Sequence, residues 1–139
     1  MWIVAAVFSA IFAGVTAILS KCGMKDVNSD VATAIRTGVV FVFAWLIVLI
    51  TGAYATLATI DPKSLVFLIL SGLATGGSWL CYYYAIQQGQ VSVVVPIDKL
   101  SIVLTVVFSV LFLKEKPSAK TWLGLALLAT GSLCMAIFT

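Results

Sequence analysis

Five long apolar stretches run along the chain, separated by short polar breaks. They cover residues of about 2–20, 31–52, 64–86, 92–113 and 120–138. The breaks are a polar loop from Lys21 to Asp30, Asp61-Pro62-Lys63, the uncharged turn Gln87-Gln88-Gly89-Gln90, and Lys114-Glu115-Lys116-Pro117. Each stretch has about the 20 residues that a helix needs to cross a bilayer. None alternates polar and apolar positions as a barrel strand would. The pattern predicts an all-α polytopic membrane protein of five transmembrane helices, a single domain over residues 1–139 with tight loops and no internal repeat. Lys114 and Lys116 suit the negative C-terminal end of the fourth helix, and Pro117 cannot continue it. The first stretch lacks the positive flank of a signal peptide and is expected to stay in the mature protein.

Composition agrees with a bilayer environment. Apolar residues make up 63% of the chain and charged ones 9%, whereas a soluble domain is about a quarter charged. Five spans take roughly 100 residues, which leaves no room for a soluble domain. The formal net charge of +3 is spread over single or paired Lys and Arg, not gathered into the basic stripe of a nucleic-acid binder. No His is present, and Cys22, Cys81 and Cys134 stand far apart without a CxxC. A metal or haem site is not expected, nor any other cofactor, and the cysteines read as small hydrophobes. With no His, no metal cluster and no loop long enough to hold a catalytic site, the chain does not read as an enzyme; with no phosphate-binding loop, any energy is expected to come from gradients.

Orientation depends on Lys and Arg in the loops. With the N-terminus inside, Lys63, Lys114, Lys116 and Lys120 are cytoplasmic, against Lys21, Lys25 and Arg36 outside. A chain so balanced can insert both ways, and two opposed copies would form an antiparallel homodimer. The alternative is that the Lys114–Lys120 cluster fixes one orientation.

Ionisable groups inside a span usually face a bundle interior or a water-filled cavity. Asp98 lies six residues beyond Ser92, about 9 Å along the helix, and the midplane is about 15 Å from either face. At 100° per residue, Asp98, Ser101, Thr105 and Ser109 fall within roughly 80° of one another, a polar stripe suited to a solute pathway. Lys99 points about 100° away from Asp98 and can border the same cavity. Pro96 frees a backbone carbonyl and is expected to kink the entrance to this helix. Against this stands the plainer reading that the hydroxyls bond to their own helix and Lys99 snorkels to the headgroups. A carboxylate as short as that of Asp98 cannot snorkel far.

The third helix adds Thr75, Trp79, Tyr83 and Gln87 at spacings of four, on a face that begins with Gly72 and Gly76. Trp79 and Tyr83 suit stacking on a planar or cationic solute, while Tyr82, Tyr83 and Tyr84 equally suit an interfacial aromatic belt. Ser9, Ala13, Thr16 and Ser20 make a weaker stripe on the first helix that reads as a packing seam. Arg36 reads either as an anchor or loop latch, or as a cavity residue. Trp2, Trp45 and Trp122 read as packing or interfacial anchors.

The run Trp79-Leu80-Cys81-Tyr82-Tyr83-Tyr84-Ala85-Ile86, then Gly89 and Val94-Val95-Pro96-Ile97-Asp98-Lys99-Leu100-Ser101, resembles the EamA family of the drug/metabolite transporter superfamily. Leu111-Phe112-Leu113-Lys114-Glu115-Lys116, Trp122-Leu123-Gly124 and Gly131 continue the likeness, with looser agreement at Lys21 and Arg36. Many members carry two five-helix units as an inverted repeat and move metabolites, amino acids or drugs by alternating access. The resemblance implies one half-unit of such a transporter, in the inner cell membrane, completed by a second inverted copy. Ile102 stands where many members have proline, which bears on how the fourth helix bends.

With the resemblance, the expected function is secondary transport of a small-molecule solute by an antiparallel dimer around a midplane site. Asp98 is the candidate proton or cation carrier. Trp79, Tyr83, Ser101 and Thr105 are the candidate solute contacts, with Lys99 as charge partner or anion site. A non-transporting accessory subunit, or one half of a heterodimer, is the alternative.

Overall fold

The computed structural model describes residues 1–138. Six α-helices follow one another: α1 (Trp2–Gly23), α2 (Ser29–Ile50), α3 (Pro62–Gln88), α4 (Val91–Asp98), α5 (Ser101–Phe112) and α6 (Ala119–Ile137). A 3₁₀ helix, Ala53–Thr59, lies between α2 and α3, and no strand occurs among the described residues. Helices α1, α2, α3 and α6, together with the segment Val91–Phe112 that comprises α4 and α5, are the five elements long and apolar enough to cross a membrane. The protein is a five-span, all-helical membrane protein.

The helix ends follow local chemistry. Asn28 caps α2 by accepting the Asp30 N–H at 2.8 Å, and the Asp30 carboxylate sits in the first turn, where the positive end of the helix favours it. Helix α2 therefore starts at Ser29, two residues before the apolar run. Thr51 closes it, and Gly52 at φ 71° turns the chain away, a conformation that costs glycine little. Pro62 opens α3, where its missing N–H breaks no bond. Ser118 caps α6 by accepting the Thr121 N–H at 3.3 Å.

Packing divides the chain into two units. One comprises Met1–Lys21 and the chain from Gln88 onward; the other is Cys22–Gln87. In the first, α4 packs on α6 more extensively than α5 does, and the Lys21 ammonium donates to the Gly89 carbonyl at 2.8 Å. In the second, the 3₁₀ helix folds against α2. Its buried residues gather where the α1–α2 loop meets the end of α3: Met24, Ser29, Ala32, Thr33, Tyr83 and Ile86.

Elsewhere the spans turn apolar side chains outward. Phe43 is 64% exposed and Leu127 67% exposed, and such surfaces need hydrocarbon, not water, as their solvent. The hydroxyls of Thr33, Thr37, Thr75 and Thr130 each donate to the carbonyl four residues earlier, so they need no partner outside their own helix. A Cβ at Gly72 or Gly76 would meet nothing within 4 Å among the described residues.

Candidate functional site

The fourth span is not one helix. Helix α4 runs through Pro96 and ends at Asp98, and α5 starts at Ser101. Pro96 has no N–H to offer the Ser92 carbonyl one turn earlier. The bend expected at the entrance falls instead at Lys99 and Leu100, beyond the proline. There the backbone tightens into i→i+3 bonds: Lys99 N–H to Pro96 O at 3.1 Å, Leu100 to Ile97 at 3.0 Å, Ile102 to Lys99 at 3.0 Å and Val103 to Leu100 at 3.0 Å. Residues three apart eclipse in such a turn, which brings Ser101 into line with Asp98 and keeps both on one stripe with Thr105.

Asp98 is half-buried, while Lys99, Ser101 and Thr105 are exposed. Among the described residues no ion pair joins Asp98 to Lys99. The Thr105 hydroxyl donates to the Ser101 carbonyl at 2.9 Å, the self-bonding that the plainer reading anticipates. Ser109, at the far end of the stripe, donates its hydroxyl to the Glu115 carboxylate instead. Asp98 thus sits at a break in the regular helix, eight residues into a 22-residue span, where the backbone bonds are of the i→i+3 kind. A broken transmembrane helix exposes backbone dipoles that can hold an ion or a polar group at membrane depth.

The other aromatic candidates belong to the Cys22–Gln87 unit and differ from each other. Trp79 is half-buried. Tyr83 is only 3% exposed, makes an edge contact with Tyr82 at 5.2 Å, and has the Arg36 guanidinium 4.2 Å above its ring centroid. The ring that reads as a cation platform already carries a cation of this chain. Arg36, half-buried, therefore packs against the end of α3.

One turn on, the Gln87 amide donates to the carbonyls of Met24 at 2.9 Å and Val27 at 2.6 Å, fastening the α1–α2 loop to the end of α3. Spacing put Tyr83 and Gln87 on one face, but their partners had no local signature. The sequence places Glu115 in the break after the fourth span and in the run that resembles the family, without a partner; its contact with Ser109 goes with the backbone turn at Lys114, φ 54°. Trp45 is exposed and makes an edge contact with Phe41, one turn earlier on α2, at 6.3 Å.

The comparisons agree with this architecture. The model of the EamA-like transporter family matches residues 1–137. A protein of Sinorhizobium sp named as an uncharacterized transporter in the cobO 3′ region is 46% identical over 137 residues, 99% of this chain and 97% of that one. An uncharacterized protein of Methanocaldococcus jannaschii is 31% identical over 104 residues, 68% of this chain and 76% of its own. No solved structure matches.

Proposed function

The chain belongs to the EamA-like transporter family, and from that premise we propose that it is a secondary transporter that works as an antiparallel pair of identical copies. Membership and the five spans make it a multi-pass membrane transporter; the pairing, the mechanism and the solute are the proposal. The solute is a small metabolite, amino acid or drug-like molecule, and the membrane is the inner cell membrane. Two opposed copies supply the inverted repeat on which alternating access depends.

Three observations support the pairing. The Sinorhizobium relative, aligned over 97% of its length, holds little beyond one such unit. The Lys and Arg balance between loops is close to even. A Cβ at Gly72 or Gly76 would meet nothing within 4 Å among the described residues, and such a small-residue face suits the close approach of another helix.

The observation that carries the mechanism is the break in the fourth span beside Asp98. A carboxylate at membrane depth is costly unless it meets water, an ion or a partner. Asp98 carries the proton or coupling cation, and Lys99 holds an anionic group of the solute or balances Asp98. Ser101 and Thr105 contact the solute beside that break, and Trp79 is a further candidate contact on α3. Tyr83, the other aromatic that the sequence offers as a solute contact, is buried and carries Arg36 on its ring.

The test is flux in proteoliposomes under an imposed proton or cation gradient, wild type against Asp98→Asn. Loss of gradient-driven flux with exchange of solute retained supports the assignment, and unchanged coupled flux removes it. Reporters fused to the C-terminus, each active on one side only, test the pairing separately. Comparable signals from both support dual insertion, and one strong signal rules it out.

A further inference from the structure

The turn between α5 and α6 holds a second polar cluster, away from the break in the fourth span. Helix α5 ends at Phe112 and α6 begins at Ala119, so the turn lies at the level of the lipid headgroups. Lys114 is the one non-glycine residue with positive φ among those described, and it folds Glu115 back over the end of α5. The Glu115 N–H donates to the Ser109 carbonyl at 3.3 Å, and its carboxylate accepts the Ser109 hydroxyl. A cavity of about 460 Å³ opens here, lined by Val106, Ser109, Glu115, Lys116, Pro117 and Thr121.

The lining specifies its ligand. Glu115 supplies a negative group and Lys116 a positive one, Ser109 and Thr121 supply hydroxyls, and Val106 and Pro117 supply an apolar wall. Val106 precedes Phe112 by six residues, about 9 Å of helix, and the headgroup region is about 5–7 Å deep on each side of the hydrocarbon. The cavity therefore reaches from headgroup level into the acyl boundary. A soluble zwitterion would use only its polar rim, whereas a phospholipid would use its whole depth.

We infer that the cavity formed by Ser109, Glu115, Lys116 and Thr121 binds a zwitterionic phospholipid whose headgroup joins a primary ammonium to a phosphodiester, as in phosphatidylethanolamine. The ammonium meets the Glu115 carboxylate, which retains acceptor sites beyond the one that Ser109 occupies. The phosphate meets Lys116 and the Thr121 hydroxyl, and the glycerol backbone meets Val106 and Pro117. A primary ammonium donates three hydrogen bonds and a quaternary choline none, so the site favours the former. Because Glu115 closes the α5–α6 turn, a bound lipid steadies the helix pair that carries the second half of the broken span. The inference needs only the membrane setting, and its readout is bound lipid rather than transport.

The experiment measures lipid retained by the detergent-purified full chain, by native mass spectrometry, after exposure to phosphatidylethanolamine, phosphatidylcholine and phosphatidylglycerol in turn. The wild type should retain phosphatidylethanolamine preferentially. Glu115→Gln and Lys116→Gln should each weaken that retention about tenfold, the loss of one charge-assisted hydrogen bond. Lys120→Gln, a neighbouring charge outside the cavity, should not. Circular dichroism checks the fold of each variant, and Lys116→Gln leaves the Ser109–Glu115 bond in place should Glu115→Gln unfold. Equal retention of the three lipids, or equal loss in Lys120→Gln, overturns the inference. So does competition by free phosphoethanolamine at the affinity of the lipid, which would make the ligand a soluble zwitterion.

Discussion

Two polar clusters within the spans have opposite characters. At the end of α3, Tyr83 lies buried under Arg36, and the Gln87 amide is spent on two loop carbonyls. At the break between α4 and α5, Asp98 is half-buried beside exposed Lys99 and Ser101, and the one hydroxyl bond made there, from Thr105, goes to its own helix. Polar groups of the first kind fix a fold, because their partners are part of it. Groups of the second kind have capacity left for something that arrives. Intramembrane polarity alone does not mark a transport site; what matters is whether the chain has already answered it.

That contrast sets the order of expected effects. The largest belongs to Tyr83→Ala, which empties a buried ring site and leaves Arg36 without its platform. A loss of about 3 kcal/mol in stability is expected in denaturant unfolding monitored by circular dichroism, and Tyr83→Phe, which keeps the ring, should lose about 1 kcal/mol or less. Asp98→Asn should leave unfolding almost unchanged while gradient-driven flux falls about thirtyfold, equivalent to about 2 kcal/mol. If it instead destabilises the protein as Tyr83→Ala does, Asp98 belongs with the structural cluster. Gln87→Leu orphans the Met24 and Val27 carbonyls and should cost about 1–2 kcal/mol of stability, with flux per folded molecule preserved. The smallest effect is that of Thr105→Val, within about 0.5 kcal/mol in unfolding. Any fall in flux there reports on contact with solute.

The spans could be read to within three residues at each end because apolar length is a local property that a bilayer enforces. Loop ends were less legible: Asn28 shortens the first loop by capping α2, and the 3₁₀ helix Ala53–Thr59 leaves no charged or periodic mark. The polar stripe was legible because helical spacing defines it, and the break near it was half legible, since Pro96 announces a disturbance without fixing where the backbone gives way. The Arg36–Tyr83 stacking was not legible at all. The two residues lie 47 positions apart, and nothing local in either helix requires the other. Glu115 was hidden for a related reason, since its return to Ser109 depends on one left-handed residue, Lys114.

The central claim is that two copies act together, each contributing an Asp98, and co-reconstitution tests it most directly. Wild type and Asp98→Asn are mixed in varying ratios at constant total protein, and gradient-driven flux is followed against the wild-type fraction. If both carboxylates of a pair are needed, flux follows the square of that fraction, and an equal mixture retains about one quarter of wild-type flux, as random pairing of two subunits requires. A straight line, with about half the flux in the equal mixture, would mean that each copy works alone and would contradict the account.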